Sequence, residues 1–100
     1  MTSTLDVAYV DREWDAALPV LQDYIAIPAR SPMFDPECES TGHLARAAHL
    51  LRDLAAARAI PGLQVELIEP PGLTPLRWME IPATDAALAD PTVVIYGHMD

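Results

Sequence analysis

Thr92-Val93-Val94-Ile95-Tyr96-Gly97-His98-Met99-Asp100 is the stretch on which the fold turns. The two alternating sets within it, Val93 with Ile95 and Val94 with Tyr96, are both apolar. A strand apolar on both faces belongs inside a sheet that is covered above and below. Gly97 closes the run, and His98 follows at its carboxyl end, where ligands gather in open α/β sheets. Residues two apart on extended backbone project to the same side, so Asp100 comes within reach of the His98 ring. A neutral imidazole binds a metal through one nitrogen, and a carboxylate on the other nitrogen fixes its tautomer and raises its basicity. Residues 97–100 thus have the make-up of a metal ligand with its own orienting carboxylate.

Upstream of this run, residues 63–69 and 75–81 predict two further strands, separated by Pro70-Pro71-Gly72 and closed by Pro82. A polar, alanine-rich loop over 83–91 leads from them to the apolar run. Before Pro61-Gly62 the pattern changes to helical spacing. Leu44, Ala47, Ala48, Leu51, Leu54 and Ala55 mark the core face of a helix over 42–59, with Ser40 or Thr41 as its N-cap. Residues 33–40 read as an irregular connection. A first helix is predicted over 5–26, with Val7, Val10, Trp14, Leu18, Leu21 and Ile25 along one stripe. Pro19 removes a hydrogen bond and crowds the Asp15 carbonyl, yet the stripe keeps its phase across it, which predicts one kinked helix. Ile27-Pro28 ends it, because a residue before proline is pushed out of the α region. The order helix, helix, strand, strand, strand gives an α/β fold class and reads as the opening of a layered α/β domain.

Composition narrows the function. The chain has 100 residues, room for one small domain, and its 51% hydrophobic and 21% charged content is globular. Six arginines and no lysine face 15 acidic residues, for a net charge of −9. Such a chain repels a phosphate backbone or an anionic membrane surface, so neither nucleic acid nor membrane is expected as a partner. Cys38 is the only cysteine, which excludes an internal disulfide and a cysteine-rich zinc module. The amino terminus lacks the basic start and apolar run of a signal peptide, and no apolar stretch reaches membrane-spanning length, which points to the cytoplasm.

Other polar residues carry a plainer reading. His43 and His49 are six apart and face different ways on a helix, so they suit a solvated face better than a shared metal. Cys38 lies among Asp35, Glu37 and Glu39, a poor setting for an activated nucleophile. Trp14 and Tyr24 are expected in the core. Trp78 and Glu80 share one face of a strand, and Asp85 and Asp90 suit turns.

The stretch 92–100 resembles the first metal motif of the M20 family of zinc peptidases and deacylases, in which an apolar strand runs into Gly-His-x-Asp. Tyr24-Ile25-Ala26-Ile27-Pro28-Ala29-Arg30-Ser31 is similar to that family's first helix and the Ile-Pro-Ser-x-Ser turn that follows, with Ala29 standing in place of the first Ser. The helix over 44–59 and Val65-Glu66-Leu67 agree with the order of the elements that come next, but only the last nine residues are specific.

The resemblance implies that His98 is a ligand of one of two zinc ions and Asp100 the carboxylate that orients it. It implies zinc-dependent hydrolysis of an amide in a short peptide or an N-acyl amino acid. Met79-Glu80-Ile81-Pro82-Ala83 leans toward the dipeptidase-like branch. The family's bridging Asp, its adjacent Glu pair, a further acidic ligand and a late His are expected beyond Asp100, as is a second domain through which such enzymes form homodimers. Residues 1–100 are therefore expected to be the amino-terminal, incomplete part of a zinc-hydrolase catalytic domain, inactive alone. Two alternatives stand beside this. One is an interaction or scaffold domain with a degenerate metal site; the other is a complete product in which Gly-His-Met-Asp is coincidence.

Overall fold

The computed structural model describes residues 6–88 and 91–99. Helix α1 spans Val7–Ala26, a short helix α2 spans Cys38–Thr41 and helix α3 spans His43–Ala56. Strands β1, Gln64–Ile68, and β2, Leu76–Glu80, form a two-stranded antiparallel sheet, and a 3₁₀ turn follows at Ala86–Leu88. The chain is thus a mixed domain of helices and a small sheet.

Local chemistry accounts for the element boundaries. The Asp6 carboxylate caps α1 by accepting from the Tyr9 amide at 2.7 Å. The helix runs unbroken through Pro19 and stops at Ile27, whose extended backbone (φ −82°, ψ 118°) suits the residue before Pro28. Gly42, at φ 72°, ends α2 in the left-handed conformation and also starts α3. The expected caps of α3, Ser40 and Thr41, lie inside α2 instead. Their hydroxyls donate to the Glu37 and Cys38 carbonyls within that short helix, and the N-cap position of α3 falls to Gly42, which has no side chain to accept from its amides. Part of the connection expected to be irregular over 33–40 is thus helical.

Two Pro-Gly turns frame β1. Leu63 N–H donates to the Ile60 carbonyl and Leu73 N–H to the Pro70 carbonyl, each at 3.1 Å. In each turn proline is the second residue and glycine the third, with φ of 77° at Gly62 and 74° at Gly72, the pattern of a type II turn.

The register pairs Val65 with Met79 and Leu67 with Arg77 on one face of the sheet. Val65, Leu67 and Arg77 are half-buried there, under α3. Arg77 donates across to the Leu51 carbonyl at 3.1 Å, which clips β2 to the middle of α3. The buried core consists of Leu44, Ala47, Ala48 and Ala55, all from the predicted core face of α3.

Two expectations fail. The apolar stripe of α1 is largely uncovered, with Val7, Val10, Trp14 and Ile25 all exposed, so Trp14 is not a core residue. The α1–α3 contact is narrow, and just beyond the end of α3 the Arg58 guanidinium lies 3.4 Å from Glu13. The third strand, expected over 92–96, does not form. The sheet has two strands, and residues 93–96 are between 80 and 90% exposed. A strand is held by the ladder to its neighbour, and no described strand runs beside this one. Among the described residues, helix, helix, strand, strand, strand is therefore corrected to three α-helices, one hairpin and a 3₁₀ turn.

Candidate functional site

His98 lies at the end of an exposed apolar run that joins neither described strand, not at the end of a sheet strand as expected. Its ring is exposed and meets the Tyr96 ring edge-on, with centroids 5.3 Å apart and planes at 73°. The Tyr96 hydroxyl is 3.5 Å from His98 Nε2. Only Gly97 stands between the partners, so side chains on alternate positions face the same way here. Asp100, expected to orient the ring, lies outside the described residues.

One contact ties this end of the chain to the rest. The Tyr24 hydroxyl donates to the Met99 carbonyl across 75 residues of sequence. Tyr24 sits in the last turns of α1, just before Ile27-Pro28, and is half-buried. The contact therefore joins the end of the first helix to the His98 segment. Sequence reasoning assigned Tyr24 to the core and missed this role. The only signal was a hydroxyl-bearing ring at the rim of an apolar stripe, where a phenol keeps one end wet.

His43, His49 and Asp85 fall where the plainer reading put them, and Asp90 lies outside the described residues. His49 is exposed, with Nε2 2.7 Å from the Glu69 carboxylate and Nδ1 3.2 Å from Arg52. His43 reaches Arg46 on the same helix at 3.2 Å. Asp85 accepts from the Ala87 amide at 2.9 Å and opens the 3₁₀ turn. A cleft of about 400 Å³ lies elsewhere, between the turn after β1 and the start of α3, bounded by Cys38, Glu39, Leu44, Glu69 and Leu73. His98 has no part in it.

The donor set tests whether zinc fits. Zinc takes three or four protein ligands. Among the described residues no three His, Cys, Asp or Glu side chains come together to supply them. His98 offers one imidazole, one ligand's share of a centre and not a whole one. Compared with known protein families, with curated proteins and with solved structures, the chain matches none.

Proposed function

We propose that these residues belong to a zinc-dependent hydrolase of the M20 type, acting on an amide in a short peptide or N-acyl amino acid. In this reading they form the first part of its layered α/β catalytic domain. His98 contributes one metal ligand and Asp100 orients its ring. The remaining ligands and the general base come from chain outside these residues. The observation that carries the reading is Gly97-His98-Met99-Asp100 directly after an apolar run. The Tyr24–Met99 hydrogen bond supports it, because it links the two stretches that resemble the family, 24–31 and 92–100. Bound zinc would supply Lewis-acid activation of water and of the scissile carbonyl. The part of this chain is to position: Tyr24 fixes the backbone on the carboxyl side of His98, and Gly97 leaves room on the other.

The reading frame is the first test. An Asp followed by an adjacent Glu-Glu pair is expected downstream of Asp100, and a stop codon directly after it overturns the proposal. In the polypeptide so encoded, His98→Ala should lower zinc content together with dipeptide hydrolysis. Asp100→Asn keeps the shape but removes the charge, and should cost about 10–100-fold in metal affinity or activity. Normal zinc content and turnover in both variants would refute the assignment. Residues 1–100 alone should bind zinc more weakly than micromolar.

A further inference from the structure

The chain exposes more surface than its mass requires. Its accessible area is 8215 Å² for 10.9 kDa, about 2,600 Å² more than a compact monomer of that mass presents. Exposed apolar side chains on α1, at Met33 and Phe34, on the hairpin and along 93–96 contribute to that excess, and two of these places bear on each other. One is the run 93–96, exposed along both alternating sets. The other is the sheet face turned away from α3, where Ile68, Leu76 and Trp78 are all exposed.

These two places complement each other. β2 pairs with β1 along one edge only, and the sheet ends there. A strand laid along the open edge of β2 would set one of its faces beside Met79, on the side of α3, and the other beside Leu76 and Trp78. Leu76, Trp78 and Met79 make both sides of that edge largely apolar, with Arg77 turned to the Leu51 carbonyl and Glu80 at the strand's end, and both faces of the run are apolar throughout. Its β-branched and aromatic residues favour a strand, and it carries no charge to bury. Within its own chain, Met99 just beyond the run is held at α1 by Tyr24.

We infer that the run 93–96 of one copy pairs with the open edge of β2 in a second copy, and that the exchange is reciprocal. Each copy gives one strand and receives one, so the assembly closes as a two-fold dimer. The area suffices. Burying three aliphatic side chains and one tyrosine removes on the order of 500 Å² per run. With the receiving edges counted, the dimer buries about 2,000 Å², the size of a stable interface. The net charge of −9 per copy opposes association. Screening over about 8 Å at physiological salt confines that repulsion to charges near the junction. The inference goes beyond the hydrolase reading and does not rest on it, since it uses neither His98 nor Asp100.

Sedimentation velocity on the 100-residue chain, over a concentration series into the hundreds of micromolar, tests it. A monomer–dimer equilibrium is expected. Ile95→Lys should weaken the dimer at least about tenfold while leaving the far-ultraviolet circular dichroism unchanged, because Ile95 is 90% exposed and supports no core. Trp78→Lys should weaken it likewise from the receiving side. Leu73→Lys, on the turn before β2, should not. A mixture of the Ile95→Lys and Trp78→Lys chains should dimerise better than either alone, since one junction of the mixed dimer is intact. A monomer at every concentration overturns the inference. So does a dimer indifferent to Ile95→Lys, a mixture no better than its components, or a species that grows past the dimer without limit.

Discussion

Gly62 and Gly72 hold equivalent places in their two turns, yet they differ in what surrounds them. Each has a positive φ, which costs an L-residue roughly 1–2 kcal/mol. At Gly72 a Cβ would meet open space. At Gly62 it would stand 2.6 Å from Cγ of Pro82 and 2.9 Å from Cδ, so the ring or the turn must move. Pro82 follows β2, and Gly62 precedes β1, so a displacement there pries at the open end of the hairpin. Gly62→Ala should therefore destabilise the chain by about 2–4 kcal/mol and Gly72→Ala by about 1–2 kcal/mol, combining left-handed strain with overpacking. Urea unfolding followed by circular dichroism measures both, and equal midpoints would show that the Pro82 contact carries no energy.

Helix α1 keeps its apolar phase across Pro19, although proline in a helix interior costs about 3 kcal/mol. Pro19 is exposed, so replacing it removes no buried contact. Pro19→Ala should restore the bond to the Asp15 carbonyl and stabilise the helix by up to about 3 kcal/mol, seen as stronger ellipticity at the helical band. An unchanged spectrum would mean that the missing hydrogen bond at Pro19 costs the helix nothing. The two long helices were legible in the sequence because a helix makes its own hydrogen bonds, and its period is written within a few turns. The two strands were legible from the prolines and glycines that bound them, whereas their antiparallel pairing was not read from the sequence. The third strand was not legible, because an apolar pattern records that a segment needs covers on both faces and says nothing of which segment supplies them. The cap of α3 failed for a local reason, the prior use of Ser40 and Thr41 by α2. The candidate site was legible only as a motif: His98 is placed, while its link to Tyr24 spans 75 residues and leaves no local trace.

At the scale of the whole molecule, a radius of gyration of 16.4 Å exceeds the roughly 13 Å of a compact chain of this length. Three of the four buried core residues are alanines, and Leu44 is the only large one. Alanine brings little apolar area, so the core contributes little against the conformational entropy of folding. Apolar surface left open on α1, on the outer face of the hairpin and along 93–96 would add to stability if it were covered. If a second copy supplies that cover, stability depends on concentration by mass action. Thermal unfolding of residues 1–100 should be broad, with an enthalpy well below the roughly 60–80 kcal/mol of a fully packed domain of this size. Its midpoint should rise with protein concentration, and in Ile95→Lys that rise should vanish. Calorimetry over a tenfold range of concentration makes the comparison. A sharp transition of full enthalpy, at a midpoint indifferent to concentration, would mean that Leu44, three alanines and one hairpin suffice, and that the exposed run contributes nothing to holding the chain together.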